Sequence, residues 1–379
     1  MRVLFINSVC GSGSTGKIAL MQAKKMIDEG HEVLFAYGRQ SNVPKDFVQN
    51  TYRITNNFFV YEHILETRLF DNHGFASRLS TKKFLKKADD FNPDMIWLHN
   101  LHGYYINVQL LFDWIKSKSN LIVFWTLHDC WAFTGHCAYF LYPSCDKWKS
   151  NCYGCVHKLK YPTTFLIGKS SRNYLKKKST FEGVKNLSII TPSKWLANLV
   201  RFSYLNEYKV SVEYNKIDTE VFKPTFSKFK EKYKIEDKFI ILGVANVWNS
   251  RKGYEDFLKL SELFLDNTCF QFIIVGLNEK QKKELPKNVL GFSRTESVHE
   301  LVEMYTSSNV FFNPTYEDNF PTVNLEAEAC GTCVLTYDTG GCSETIKRND
   351  SKLIRPGDID HVARILVDMF EAMDKSFTM

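Results

Sequence analysis

Between Asn313 and Thr332 the sequence gathers its densest set of chemically capable side chains: Glu317 and Asp318, then Asn319 and Phe320, then Glu326 eight positions after Asp318. The first acids read as a loop and Glu326 as part of the helix that follows. A carboxylate accepts two hydrogen bonds from a diol, so such acids suit sugar or ribose hydroxyls. Spacing alone is a weak signal, because paired acids on a helix are common. A second group, Trp248-Asn249-Ser250-Arg251-Lys252-Gly253, places two cations and a glycine where a helix begins. Arg offers a bidentate fork, Lys a point charge and the helix end more amides, a combination suited to a diphosphate. Two solvated charges on a turn are the plain alternative.

Nearer the start, Gly11-Ser12-Gly13-Ser14-Thr15-Gly16-Lys17 follows an apolar run. Its glycines let backbone amides approach a phosphate at a helix N-terminus. It nearly matches the phosphate-binding loop G-x-x-x-x-G-K-[S/T], but Ile18 stands where a magnesium-ligating hydroxyl is needed. A tight turn, a nucleotide-hydrolysing loop and a glycine loop facing an interdomain cleft remain open, the last preferred. His99 and His128 each end an apolar run, His128 within Trp125-Thr126-Leu127-His128-Asp129. Open α/β sheets bind ligands beyond the carboxyl ends of their strands, and imidazole there can donate, accept or take up a proton.

Cys137, Cys145, Cys152 and Cys155 share an irregular stretch with Cys130, His136 and His157. Four thiolates close a tetrahedral zinc site, and Cys152-x-x-Cys155 has the usual chelate spacing. A structural zinc, unligated thiols and disulfides are the competing accounts. With four sulfurs such a zinc has no open position for catalysis.

These residues need a scaffold, and the apolar pattern supplies one. Short continuous runs at 2–7, 32–37, 95–99, 121–127 and 187–191 restart at 239–244, 270–275, 310–313 and 333–337. Amphipathic stretches at 17–28, 108–118, 253–265, 295–307 and 322–329 separate them, and a last helix is expected at 360–374. Continuous runs mark strands buried on both faces, and their alternation with helices predicts doubly wound parallel sheets. The charged stretch 223–237, with Pro224, separates two such halves, and 130–162 looks inserted.

Composition narrows the partners. The sequence is 44% hydrophobic and 24% charged, which excludes wholesale disorder. A net charge of +7 is too slight for a nucleic-acid coat protein, so no nucleic acid is expected. No apolar run is long enough to span a bilayer, and the opening residues are too short for a signal peptide. The expected location is therefore cytoplasmic, where thiols stay reduced. Lys169, Arg172 and Lys176 would lie along one side of a helix and could meet anionic lipid at the inner face of the membrane. A solvated face is the alternative. Aromatics reach 15%, with 30 Phe, 18 Tyr and 7 Trp. Most fall in strand runs, whereas Trp131, Tyr139 and Tyr142 are candidates to touch an acceptor sugar.

Together these motifs resemble the retaining GT-B glycosyltransferases of glycosyltransferase family 4, in particular those of capsule, exopolysaccharide and colanic-acid assembly. The resemblance runs through Gly13-Ser14-Thr15-Gly16, Ala36-Tyr37-Gly38-Arg39, Thr126-Leu127-His128-Asp129 and Thr191-Pro192-Ser193-Lys194-Trp195-Leu196. It continues through Arg251-Lys252-Gly253, Glu326-Ala327 and Ala329-Cys330-Gly331-Thr332 to Gly340-Gly341. It implies two Rossmann-like domains facing a cleft: 1–205 for the acceptor, with the 130–162 insertion, and 206–358 for the nucleotide-sugar donor. Residues 359–379 would form a helix packing back toward the N-terminal domain.

The resemblance also implies roles. Asp318 and Glu326 match the family's two acids, with Glu317 adjacent as the competing carboxylate toward the donor sugar. Glu326 would bind ribose, with Asn319 and Phe320 also on the donor side. Arg251 and Lys252 would hold the diphosphate, and His128 would lie near the donor sugar. Gly13, Ser14, Thr15, Gly16 and His99 would face acceptor or phosphate. Lys216 and Cys333 depart from the family pattern outside the chemistry. The implied reaction transfers a sugar from a UDP- or GDP-sugar to a glycan or lipid-linked acceptor with retention, and no metal is required because no Asp-x-Asp clamp is apparent. A nucleotide-sugar epimerase or phosphorylase, a phosphate-loop hydrolase and a non-catalytic carbohydrate binder are the competing classes.

Overall fold

The structure is a computed structural model that describes residues 1–39, 41–142 and 144–377. The chain divides into two compact units, Met1–Tyr214 and Asn215–Met379. In the first, strands β1 (Arg2–Asn7), β2 (Glu32–Tyr37), β3 (Thr51–Arg53), β4 (Met95–Leu98), β5 (Ile122–Thr126), β6 (Leu187–Thr191) and β7 (Lys209–Val212) form one parallel sheet. Their order is β3-β2-β1-β4-β5-β6-β7. Helices α1 (Gly13–Asp28), α2 (Asn57–Phe70), α3 (Arg78–Phe91), α4 (Val108–Lys116), α5 (Ser170–Phe181) and α6 (Lys194–Arg201) connect them.

The second unit carries β8 (Phe239–Val244), β9 (Phe270–Val275), β10 (Val289–Phe292), β11 (Val310–Asn313), β12 (Cys333–Tyr337) and β13 (Lys352–Ile354) in the parallel order β10-β9-β8-β11-β12-β13. Its helices are α7 (Phe229–Tyr233), α8 (Tyr254–Leu263), α9 (Glu279–Lys283), α10 (Val298–Ser307), α11 (Thr322–Ala329) and α12 (Ile359–Phe377).

The central strands are largely apolar because successive side chains enter opposite cores. Val3 and Phe5 join one hydrophobic cluster, while Leu4 and Ile6 join another on the far face. Phe239 and Ile241 divide from Ile240 and Leu242 in the same way. Aromatic rings fill these layers, as where Phe5 stacks on Phe35 and Trp97 at 5.9 and 5.6 Å. Each fully buried Phe contributes roughly 1.5–3 kcal/mol of burial.

The first unit extends to Tyr214 rather than 205, because β7 still pairs with β6. The closing helix α12 packs into the core of the second unit through Val362, Ile365 and Leu366. Residues 378 and 379 of that expected segment lie outside the described residues. The short edge strands β3, β7, β10 and β13 are interrupted by polar or glycine positions (Thr51 and Arg53, Lys209 and Ser211, Gly291, Lys352) and so do not stand out in the apolar pattern.

Candidate functional site

Each sheet reverses its strand order once, and such a reversal opens a crevice beyond the strands' carboxyl ends. In the second unit the reversal lies between β8 and β11. After β8 the chain makes a short helical turn, Ser250–Lys252, capped by Asn249, whose side chain accepts Lys252 N–H at 3.1 Å. Gly253 follows at φ +70°, where a Cβ would stand 2.0 Å from the Pro314 carbonyl oxygen. The turn can therefore press against the segment after β11 only with glycine here. Tyr316 N–H donates to the Arg251 carbonyl at 2.8 Å. Arg251 Nη1 donates to the Glu317 carbonyl, and Lys252 Nζ meets Asp318 Oδ2, both at 2.5 Å.

A third loop, after β12, closes on the same place. Gly341 N–H donates to the Asp318 carbonyl at 3.0 Å, and a Cβ on Gly340 would fall 2.0 Å from that oxygen. Asp256, in the first turn of α8, accepts from the phenols of Tyr316 and Tyr337 at 2.7 and 2.6 Å and so steadies the loop from behind. On α11, Glu326 Oε2 accepts from Tyr305 at 3.1 Å, and burial together with Glu326 holds that phenol well above its ordinary pKa, protonated and donating.

Arg251, Lys252, Glu317 and Asp318 therefore come together, while Glu326 stands on α11 against Tyr305. Glu317, Asn319 and Phe320 are buried, whereas Asp318, Glu326, Arg251 and Lys252 are half-buried. Burial pushes the Asp318 carboxyl up, but Lys252 and Arg251 outweigh it and hold the group below its ordinary value. Asn324, which sequence reasoning passed over, is buried between Asn313 and Thr345 at 2.8 and 2.9 Å and pins α11 to β11. The sequence does contain one Asp-x-Asp, at Asp358 and Asp360. Asp358 caps α12 by accepting His361 N–H at 3.1 Å, which is a structural use of the triplet.

In the first unit the reversal lies between β1 and β4. The glycine motif is not a free loop: α1 begins at Gly13, so Gly13, Ser14, Thr15 and Gly16 form its first turn. Gly13 and Ser14 are exposed, and the first-turn amides lack intrahelical acceptors. Asn100 bridges the loops after β1 and β4, its N–H to Asn7 Oδ1 at 3.2 Å and its Nδ2 to Thr15 Oγ1 at 3.5 Å.

His99 and His128 do meet. Their Nδ1 and Nε2 atoms are 3.0 Å apart and their rings stack at 5.3 Å. Burial drives both below the ordinary imidazole value, His128 to about 4, so near neutral pH the pair is uncharged with one ring donating. Beside it His102 Nε2 lies 2.7 Å from Asp129 Oδ2, and His102 Nδ1 lies 2.9 Å from the Tyr161 hydroxyl. Burial raises the Asp129 carboxyl, but His102 and the Trp131 amide bring it below its usual value. Sequence reasoning missed His102 and Tyr161, because 59 positions separate them and neither sits in a motif.

The inserted segment is stapled onto the first unit. Trp131 is core rather than sugar-facing, with buried Lys177 Nζ 3.6 Å above its ring. Tyr139 packs against the same core. Tyr142 is partly exposed beneath Lys160 Nζ at 5.2 Å. Cys137, Cys145, Cys152 and Cys155 line one cavity with His136, and all ten cysteines stand as free thiols. The basic stretch is helical as α5, but Lys177 points inward while Arg172 is exposed.

Among known proteins, residues 225–375 match the family described as Glycosyl transferases group 1. The chain is 24% identical over 219 residues to the putative colanic acid biosynthesis glycosyl transferase WcaC of Escherichia coli (strain K12), covering 54% of this chain and 52% of that one. It is 29% identical over 125 residues to the N,N'-diacetylbacillosaminyl-diphospho-undecaprenol alpha-1,3-N-acetylgalactosaminyltransferase of Campylobacter jejuni, covering 31% of each. The chain thus spans about half or less of these relatives' lengths. The structure of Anabaena Alr3699/HepE in complex with UDP-glucose is similar in fold, with a TM-score of 0.63 at 16% identity over 99% of this chain and 91% of that one. Residues 225–375 therefore match the glycosyl transferase group 1 model, and the two parallel-sheet units share the fold of GT-B glycosyltransferase structures.

Proposed function

We propose that this protein transfers a sugar from a UDP-sugar to a glycan or lipid-linked acceptor in surface polysaccharide or glycolipid assembly, with retention of anomeric configuration. The observation that carries the proposal is the convergence of Arg251, Lys252 and Asp318 on the loops after β8 and β11, within the residues that match the group 1 family. The UDP-glucose bound by the Anabaena protein of the same fold favours uridine as the donor nucleotide.

In this account Arg251 and Lys252 stabilise the charge that grows on the leaving diphosphate. Asp318 holds Lys252 until the diphosphate arrives and then turns to the donor sugar. It takes that role rather than Glu317, whose side chain is wholly buried. Glu326, set by Tyr305, takes the ribose hydroxyls. In the first unit the neutral His99–His128 pair and the Tyr161–His102–Asp129 chain supply hydrogen bonds to sugar hydroxyls. The acceptor oxygen bonds to the anomeric carbon on the face the diphosphate leaves, the anomeric C–O bond breaks, and the acceptor's proton passes to the leaving phosphate. Anomeric analysis of the product by NMR tests retention; an inverted product contradicts it.

The same reading places the first unit at an anionic lipid surface. Phe58, Tyr61 and Leu65 form an exposed stripe on α2, with exposures of 71, 70 and 57%. Exposed Phe165, Leu166 and Ile167 run beside the end of that helix, where Phe165 N–H donates to Arg68 O at 2.8 Å. Lys169 and exposed Arg172 follow directly. Apolar side chains flanked by cations fit a headgroup boundary. No described helix is long and apolar enough to cross a membrane.

The test is a transfer assay with labelled UDP-, GDP- and ADP-sugars and a membrane lipid extract as acceptor source. Label is expected in a lipid or glycan product from a UDP-sugar. Donor consumed without any acceptor, giving an epimer or a sugar phosphate, would contradict the proposal.

A further inference from the structure

The segment between β5 and α5 has little regular structure beyond the short turns Trp131–Phe133 and Lys147–Lys149, yet much of it is buried. Chain of that kind needs a staple. One cavity within it is lined by Cys137, Cys145, Cys152, Cys155 and His136. As the side chains stand, no three His, Cys, Asp or Glu among the described residues are already grouped as a metal-holding set, and the Cys137 and Cys155 thiols instead contact each other. The thiols therefore surround the cavity without having closed on a centre.

His136 is the independent observation. It is 2% exposed, and its Nδ1 lies 2.7 Å from Asp71 Oδ1, itself buried. Its Nε2 is buried with no hydrogen-bond partner. A buried polar atom without a partner is costly and calls for an explanation. A carboxylate on one imidazole nitrogen, with the other left over beside thiols, is the arrangement that orients metal-ligating histidines. Asp71 is held firmly in turn: it accepts Lys169 N–H at 2.7 Å and Thr164 Oγ1 at 3.4 Å. Gly135 N–H donates to Cys152 Sγ at 3.1 Å, the kind of bond that supports a metal-bound sulfur.

We propose that this segment binds one zinc ion through Cys137, Cys152, Cys155 and Nε2 of His136, with Asp71 as the positioning residue for the imidazole. Five donors line the cavity and a tetrahedral ion takes four. His136 is chosen over Cys145 because its buried nitrogen has no other partner, whereas Cys145 is partly exposed. On binding, each thiol gives its proton to solvent and the thiolate takes its place on the metal. The ion would serve as a staple that holds the irregular segment onto the first unit.

The experiment is metal analysis and zinc X-ray absorption on the full chain purified without chelator. About one zinc per chain is expected, with a shell of three sulfurs at about 2.3 Å and one nitrogen at about 2.0–2.1 Å. Cys145→Ser should keep the zinc, and Cys155→Ser and His136→Ala should lose most of it. Because those two variants could misfold, the absorption fit on the unaltered chain decides independently. A chelator should lower the melting temperature and added zinc restore it. Less than a tenth of an equivalent of zinc overturns the site, and a four-sulfur shell overturns the place given to His136.

Discussion

The carboxyl edges of the two sheets use opposite chemistry. In the second unit Lys252 pairs with the Asp318 carboxylate while the Arg251 guanidinium donates to the Glu317 main-chain carbonyl, so the edge carries full charges. In the first, His99 and His128 are neutral and hydrogen-bonded to each other, with the Asp129 carboxylate behind His102. The difference suits two kinds of ligand. A diphosphate needs charge placed in advance, whereas sugar hydroxyls need donors and acceptors that cost little to desolvate.

The largest effect should come from breaking the backbone that holds the charges. Gly253→Val puts a branched side chain at φ +70° and on the Pro314 carbonyl. A cost of about 2–3 kcal/mol is expected, lowering the melting temperature of this unit by roughly 4–12 °C and abolishing UDP-sugar turnover. Calorimetry and a donor assay check both; an unchanged melting point would mean the turn is not pressed against that loop.

Acid should then separate the two units. His128, brought to about 4, and His63, brought to about 3, both lie in the first unit. Their folded values lie below the unfolded value of 6.5, so the unfolded state binds the extra protons and stability falls as pH drops from about 6.5 toward those values. Asp318, whose folded value lies below 3.8, contributes stability above that pH and loses it only as pH falls through its lowered value. Tryptophan fluorescence and calorimetry should show the first unit failing at higher pH than the second. A single transition below pH 4 would erase the contrast.

A smaller effect is expected at Asp129, which holds both His102 and the Trp131 amide. Asp129→Asn removes a charged acceptor worth about 1.5–3 kcal/mol, so kcat/KM for the acceptor should fall about 10-fold to 100-fold while UDP affinity stays put. Equal losses for donor and acceptor would contradict an acceptor-side role. Smallest of all, Tyr61→Ser with Leu65→Ser should weaken binding to anionic vesicles about tenfold and leave turnover of a water-soluble acceptor unchanged. Co-sedimentation at low salt measures it.

The two edges also differ in how far they could be read from sequence. The strands at 2–7, 32–37, 239–244 and 310–313 stood out because each is a continuous apolar run buried on both faces. The charges of the second edge lie on short segments directly after such strands, so locating β8 and β11 nearly located Arg251 and Asp318. Asn324 and Asp256 escaped notice because their work is to hold other groups. His102 and Tyr161 escaped for a different reason: they meet only after the irregular 130–162 segment folds back, and no local periodicity encodes that return. The same holds for His136 and Asp71, which are 65 positions apart. Lys177, next to the basic face read from Lys169, Arg172 and Lys176, is buried, its ammonium bonded to the Trp131 and Thr134 carbonyls at 2.8 and 3.1 Å.

The central claim is that donor chemistry resides in the charged edge of the second unit. The direct measurement is UDP-sugar turnover by Lys252→Ala and Glu326→Ala, each first shown to melt like the unaltered chain. Loss of a charge that stabilises the leaving diphosphate predicts a fall of about 100-fold or more in kcat for Lys252→Ala. Loss of the ribose contact predicts a rise in donor KM for Glu326→Ala. Near-normal rates and donor KM in both variants would contradict the account.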